Sequence, residues 1–170
     1  MSGDGNRPPV TGAARPVRYV TSLLGIVAED LAGGFFVGWP DPPTPTVHLA
    51  ALRGSEAVVL AVDDEVAPGS PGRVVGFVNA IGDGVLAASI PLLEVLPAWQ
   101  GQGIGSELVR RLLEAVGPRY MIDLVCDDDL VPFYERFGLL RHGAMIRRDR
   151  AAIMTASGRI PGEAASTGSS

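Results

Sequence analysis

The chain has 170 residues, 46% of them hydrophobic, which is enough apolar surface for the core of one domain. Its 14 basic residues are all arginine and are outnumbered by 19 acidic residues, so the net charge of −5 offers no basic stripe for a phosphate backbone. Composition therefore argues against a disordered chain and against a nucleic-acid partner.

The cysteine count and the lengths of the apolar runs indicate where in the cell the protein is expected. A single cysteine, Cys126, excludes an intramolecular disulfide, and the N-terminus lacks the charged start and long apolar run of a secretion signal. The longest apolar run, 85–93, is interrupted by Ser89 and Pro91 and is far shorter than the ~20 residues of a membrane span. We expect a cytoplasmic protein with no membrane partner.

The two ends of the chain differ in composition from its middle. Residues 1–15 and 156–170 are rich in Gly, Pro, Ser and Ala, which predicts flexible tails around a single domain over 16–155. The first elements of that domain are weakly marked: a strand over 18–21, a helix over 23–31 that ends at Gly33–Gly34, and a helix over 46–53 capped by Thr44 or Thr46.

The strand pattern sharpens from residue 56 onward. Two β-branched runs, 56–63 and 73–81, flank the turn sequence APGSPG and predict a hairpin. The next run, 85–96, is apolar on both alternating faces, as in a strand inside a sheet. The sequence therefore predicts three consecutive antiparallel strands.

A strand–helix–strand unit follows. Residues 103–116 are amphipathic with helical periodicity, and 120–126 resembles a second buried strand, which should lie parallel to 85–96. The remaining predicted elements are a short helix over 130–137 and closing strands over 142–147 and 151–154. The fold class is α/β (α+β): a mixed sheet with antiparallel N-terminal strands and a central parallel pair, flanked by helices.

The segment Gln100-Gly-Gln-Gly-Ile-Gly-Ser106 opens the amphipathic helix directly after a predicted strand. Glycines let a ligand approach the backbone, and the free N–H groups of a first helical turn suit a pyrophosphate. The alternative is a glycine-rich connector that only permits tight packing. Two other phosphate loops are disfavoured, because a P-loop requires a lysine and a dinucleotide loop requires glycine where Ser106 stands.

Gln100, Gly103 and Gly105 match the pattern [RQ]-x-x-G-x-[GA], and the chain here resembles the GNAT superfamily of N-acetyltransferases. The preceding strand ends in a similar Val-x-Pro turn, Val95 to Pro97, and Tyr134 lies in PFYERFGL, similar to the family's Y-x-x-x-G-F segment. The resemblance covers roughly 56–147. It implies acetyl-coenzyme A as cosubstrate, no metal, and a parallel pair of strands that splays apart into a cleft.

The resemblance also implies where the coenzyme binds. The backbone of Leu93 and Val95 would hold the pantetheine arm and the thioester carbonyl. The pyrophosphate would lie on the loop that follows: Gln100, Gly101, Gln102, Gly103, Ile104, Gly105 and Ser106.

Acetyl transfer needs a general base and a proton donor for the departing thiolate. Tyr134 is the candidate donor by its place in the family-like helix, and a phenol with a pKa near ~10 is protonated at neutral pH. Its alternative role is a core tyrosine. Asp123 and Glu94 each interrupt an apolar strand, so each should face a cleft or a partner; either could be the base, or could pair with an arginine.

Other polar residues are assigned no chemistry. His48 and His142 lie outside the matched segments and are interpreted as surface or loop histidines, and Cys126 as a small buried hydrophobe, since direct transfer is the usual family route. Asp127 stands where many members place an asparagine that holds the coenzyme, which leaves that contact in doubt. Pro132 is tolerated as a first-turn residue of its helix.

The sequence thus predicts an N-acetyltransferase for the primary amine of a small molecule or peptide. The alternative is a non-catalytic acyl-coenzyme A sensor or interaction module of the same fold, although the retention of Tyr134 and both carboxylates favours an enzyme; a longer acyl group also remains open. We expect substrate selectivity to lie in 39–46 and the N-terminal helices. Oligomeric state is open, with a homodimer among the arrangements considered.

Overall fold

A computed structural model describes residues 16–149 and 151–156. They form one five-stranded sheet in the order β1-β2-β3-β4-β5, antiparallel from β1 to β4 and parallel between β4 and β5. The strands are β1 Arg18–Val20, β2 Ala57–Val62, β3 Val74–Gly82, β4 Ala87–Val95 and β5 Met121–Asp123. The helices are α1 Pro45–Arg53, α2 Ile104–Val116, α3 Val131–Glu135 and α4 Ala151–Met154, with 3₁₀ turns at Ala28–Leu31, Pro97–Trp99 and Asp128–Leu130. The predicted mixed sheet is confirmed.

Alternation along β3 directs side chains to two opposite layers. Phe77 contacts Phe35 and His48 on the face covered by α1 and its neighbouring loop. On the other face, Gly76 lies against Leu108 of α2. Strands β2 and β3 are buried almost throughout, so the core lies in the middle of the sheet between these layers.

A buried ion pair joins the N-terminal segment to the β2–β3 loop. Both oxygens of Asp30 accept hydrogen bonds from Arg73, at 3.0 and 3.2 Å, and from the amides of Val27 and Gly69. The carboxylate is fully buried and fully hydrogen-bonded, as a buried charge must be. This pair holds the segment that leads into Phe36 and residues 38–41, which line the cavities described below.

The predicted helix over 23–31 is wrong except for the 3₁₀ turn Ala28–Leu31. Gly25 has φ of +76°, a left-handed conformation that interrupts a right-handed helix. By contrast, α1 forms as predicted, with the Thr44 side chain accepting a hydrogen bond from the Val47 amide at 3.3 Å.

The C-terminal third differs most from the sequence-based expectation. The predicted buried strand over 120–126 is a three-residue edge strand, and Tyr120 and Met121 are exposed. The predicted closing strand over 142–147 has no regular secondary structure, and 151–154 is the helix α4. Its sequence, Ala-Ala-Ile-Met, contains strong helix formers. Among the residues that the structure describes, no closing strand pairs with β5, which therefore lies at the sheet edge and is not buried.

The predicted tails, 1–15 and 156–170, lie outside the described residues apart from Ala156. None of the helices in the part of the chain that the structure describes is long and apolar enough to cross a membrane.

Candidate active site

The coenzyme loop, residues 100–106, joins the end of β4 to the start of α2. Gly101 and Gly103 have left-handed backbone, with φ of 74° and 83°, a conformation that side chains disfavour. Gly103 is the N-cap of α2, and no side chain caps the helix there. The first amides of this 13-residue helix therefore present the positive end of its dipole, as a pyrophosphate requires.

Two glutamine side chains of the coenzyme loop donate to the backbone that precedes it, one at the end of β4 and one in the 3₁₀ turn Pro97–Trp99. The Gln100 amide donates to the Val95 carbonyl at 2.9 Å, and the Gln102 amide donates to the Ala98 carbonyl at 3.4 Å. The side chain of Gln100, which is expected to bind coenzyme, thus bonds to the end of β4, and its role in coenzyme binding stays a prediction.

The parallel pair separates before it reaches this loop. Strand β5 pairs with β4 only along 87–89, and the pairing ends where Ser89 lies opposite Asp123. In the described sheet, β3 alone pairs with the rest of β4, so the other edge of residues 90–95 faces a cleft. The predicted splay is confirmed, and its open edge leads directly to the coenzyme loop.

The open edge begins with a β-bulge. Between Ser89 and Leu92, β4 advances three residues while β3 advances two. Pro91 lies in this bulge, where the missing N–H removes no ladder hydrogen bond. Leu93 and Val95 follow on β4, so their backbone lies on the strand segment where coenzyme contacts are expected; those contacts stay a prediction.

Tyr134 lies on α3, which packs beside the start of α2. The neighbouring Phe133 ring would be 3.8 Å from a Cβ built on Gly105, and Arg136 donates to the Ser106 hydroxyl at 3.4 Å, so α3 packs against the coenzyme loop. Burial, followed by the nearby Cys126 thiol, raises the pKa of Tyr134 to about 12. The phenol is therefore protonated at neutral pH and can act as a proton donor.

Glu94 lies on β4 and is directed toward the α1 face. Its Oε2 accepts a hydrogen bond from the Phe36 amide at 2.6 Å, and Phe36 has φ of +63°, an unusual value for a side-chain-bearing residue. Burial raises the pKa of Glu94, opposed in part by that hydrogen bond. A carboxylate with a raised pKa is suited to accept a proton near neutral pH.

Asp123, the other candidate base, is exposed at the end of β5. The expectation that it is buried is wrong, because β5 is an edge strand. The argument that burial forces this carboxylate toward a cleft or a partner therefore does not hold. Asp123 faces Ser89 in register at the point of splay, and its catalytic role stays a prediction.

Cys126 is half-buried near Tyr134. Burial and the carboxylates of Asp127 to Asp129 raise the pKa of its thiol. A thiol held in its protonated form is a poor nucleophile, which agrees with direct transfer.

His48 corrects the sequence interpretation. It is 2% exposed on the inner face of α1, with its ring 4.3 Å from that of Phe77 and 4.9 Å from that of Phe36, centroid to centroid. Its Nε2 has no hydrogen-bond partner, and burial lowers its pKa to about 4. Helical spacing could have revealed it, because His48 is one turn before the buried Leu52. His142, by contrast, is exposed as expected.

Two adjoining cavities open beside the bulge of β4. The larger cavity, about 480 Å³, is called the polar cavity because charged side chains contribute to its mixed lining: Gly38, Trp39, Pro40, Asp41, Pro91, Leu92, Arg148, Asp149 and Ile153. The apolar cavity, about 220 Å³, is lined by Phe36, Trp39, Pro43, Val47, His48, Ala51, Leu92, Ala152, Ile153 and Ala156. Sequence analysis assigned selectivity to the Trp39–Thr46 segment, part of which lines both cavities, but missed Phe36.

The acetyltransferase (GNAT) family model matches residues 25–139. The chain belongs to the GNAT family. This GNAT chain is similar to a candidate acetyltransferase from Deinococcus radiodurans R1, whose crystal structure superposes on it with a TM-score of 0.73. The two sequences are 50% identical, and the alignment covers 79% of this chain and 90% of the Deinococcus chain. The family-model match over residues 25–139 includes both the coenzyme loop and the N-terminal segment that contributes to the cavities.

Curated relatives of this GNAT protein include two plant proteins. Histone acetyltransferase TAP1 of Glycine max is 33% identical over 108 residues, which span 60% of this chain and 46% of the relative. GCN5-related N-acetyltransferase 2, chloroplastic, of Arabidopsis thaliana is 32% identical over 118 residues, which span 60% of this chain and 45% of the relative. The chain thus spans less than half the length of these relatives.

Proposed function

We propose that this protein transfers an acetyl group from acetyl-coenzyme A to a primary amine. The observation that carries the proposal is the meeting of the splayed edge of β4 with the uncapped, glycine-rich start of α2. The first amides of α2 would hold the pyrophosphate, and the open edge of residues 90–95 would hold the pantetheine arm. The bound cosubstrate supplies a thioester-activated acetyl group.

The residues of the cleft supply the proton transfers. Glu94, or Asp123 in its place, takes one proton from the substrate ammonium, directly or through water. The N–C bond then forms as the C–S bond breaks. Tyr134 gives its proton to the departing sulfur and regains one from the new amide nitrogen, so the reaction yields an N-acetyl amine, free thiol and one released proton. The presence of Tyr134 on a helix that packs against the coenzyme loop favours this enzyme over a sensor of the same fold.

Free-thiol release from acetyl-coenzyme A, measured across a panel of small-molecule and peptide amines, tests the proposal. We expect release with at least one amine, together with stoichiometric N-acetyl product by mass spectrometry. Tight binding of acetyl-coenzyme A without release for any amine would identify a binding module. A protein that does not bind acetyl-coenzyme A would contradict both interpretations.

A further inference from the structure

The polar and apolar cavities together have the form of an acceptor site with two unlike ends. They share Trp39, Leu92 and Ile153, so they form one continuous depression with an aromatic ring at the junction. This arrangement limits the amines that could bind there, and the following inference rests on the function proposed above.

The polar end lies where the reacting amine has to be. Pro91 and Leu92 line it, and they lie two and three residues after Ser89, where the pairing of β4 with β5 ends. The charged side chains on its lining are Asp41, Asp149 and Arg148, so two carboxylates outnumber one guanidinium and the lining favours an ammonium group. An amine in this cavity therefore lies along the open edge of β4.

The apolar end is lined by hydrocarbon and aromatic groups, among them Phe36, Pro43, Val47 and Ala51. The one titratable side chain that the structure shows on its lining, His48, is buried among aromatic rings, and its Nε2 is not accessible to solvent. A charged or strongly hydrated group placed here would lose its water without gaining a partner.

The wall of the apolar cavity is held in shape before any ligand binds. Phe36 has a left-handed backbone, which is disfavoured for a residue with a Cβ, and the Glu94 carboxylate accepts its amide hydrogen at 2.6 Å. The Phe36 ring makes an edge-on contact, at 5.2 Å between ring centroids, with Trp39, whose ring lies at the junction of the two cavities. A preformed apolar wall favours a rigid apolar ligand.

We propose that the acceptor is a primary amine on a compact apolar body, such as an aromatic ring one short linker away. The ammonium group occupies the polar cavity beside Pro91 and Leu92, and the apolar body fills the cavity bounded by Phe36, Trp39 and Val47. Hydrophilic amines of similar length and diamines are poor substrates, because their second polar group enters the apolar cavity.

A comparison of 2-phenylethylamine with ethanolamine and putrescine tests this inference in the full-length protein. We expect kcat/KM to be at least about 10²-fold higher for 2-phenylethylamine, since a buried ring provides several kcal/mol of selective binding. Ala51→Leu, which adds bulk to the lining, should raise KM for 2-phenylethylamine about 10-fold and leave ethanolamine unaffected. Ala115→Leu, at an exposed position of α2 remote from both cavities, is the matched control.

Calorimetric binding of 2-phenylethylamine without acetyl-coenzyme A separates this inference from the proposed function. Binding that Ala51→Leu weakens and Ala115→Leu does not supports the cavity as the binding site. If ethanolamine or putrescine is acetylated as well as 2-phenylethylamine, or if both leucine variants behave alike, the inference is overturned while the proposed function stands. If no amine releases thiol, the proposed function fails, and absence of 2-phenylethylamine binding then overturns the inference as well.

Discussion

At the scale of single residues, Tyr134 and Glu94 combine burial with a raised pKa, while Asp123 is exposed. The sequence identified these three residues as candidates, but it did not show which of their side chains are buried. A polar residue between apolar neighbours faces the interior only if another element covers that side of its strand. Phe36 covers Glu94, and Asp123 lies on an uncovered edge strand.

Tyr134→Phe removes only the phenolic hydroxyl and leaves the aromatic packing in place. If Tyr134 protonates the leaving sulfur, kcat should fall about 10²-fold or more while the affinity for acetyl-coenzyme A changes little. Turnover is measured by thiol release and affinity by calorimetry. Tyr120→Phe, at an exposed position, is the matched control. Undiminished turnover of Tyr134→Phe on an acetylated amine would remove the proton-donor assignment.

Glu94→Gln and Asp123→Asn distinguish the two candidate bases. Glutamine at position 94 can still accept the hydrogen bond from the Phe36 amide, so the fold of the cavity wall is kept while proton acceptance is lost. The variant that lacks the true base should lose about 10²-fold in rate near neutral pH and recover partly at high pH, where the amine loses its own proton. Rate ratios that do not vary with pH for both variants would assign the base to water or another group.

At the scale of elements, the hairpin β2–β3, strand β4 and helix α2 formed close to their predicted bounds. Each has a continuous apolar pattern and a clear turn or glycine signal at its ends, so local and tertiary preferences agree. The loop between β4 and α2 joins these two elements at the predicted coenzyme site. Its proposed role depends on backbone conformation, and Gly103 is the N-cap of α2 with a left-handed backbone.

Gly103→Trp should weaken acetyl-coenzyme A binding by at least about 10²-fold. The new side chain enters the space before the first amides of α2, where the pyrophosphate is expected, and it strains a backbone with φ of +83°. Gly84→Trp is the control for strain alone, because Gly84 has φ of +74° and open space around it in the β3–β4 turn. Calorimetry that finds wild-type affinity in Gly103→Trp would contradict this placement of the coenzyme.

At the scale of the whole molecule, His48 connects the stability of the fold to pH. It is neutral, unpartnered at Nε2 and surrounded by the aromatic rings that join α1 to the sheet. Protonation would place a charge in this core. The His48 side chain is therefore harder to protonate in the folded state than in the unfolded chain.

The pH dependence of unfolding follows with a definite sign. His48 has a pKa of about 4 when folded, against 6.5 for an unperturbed histidine. Between these values the unfolded state binds more protons, so the free energy of unfolding falls as pH decreases from 6.5 to 4, by about 3 kcal/mol from this residue. His48→Leu should reduce that fall in urea titrations at several pH values, with His142→Leu as the exposed control. A wild-type pH dependence in His48→Leu would contradict the assignment.

The sequence by itself determined the hairpin, the amphipathic helix α2, the coenzyme loop and the family resemblance. These features depend on local information: periodicity sets which face of an element is buried, and glycine spacing sets where the backbone can turn toward a ligand. The pattern around Gln100, Gly103 and Gly105 was therefore recognisable without any knowledge of distant contacts.

Only the tertiary structure decided which side of each strand is covered. It left β5 at an edge, formed α4 instead of a closing strand, buried His48, and brought Phe36 and Trp39 against β4 from a segment with no regular pattern. Each outcome depends on contacts between residues far apart in the chain, as between Phe36 and Glu94, because burial and pairing belong to the assembled sheet. The two cavities beside β4 are formed by such contacts.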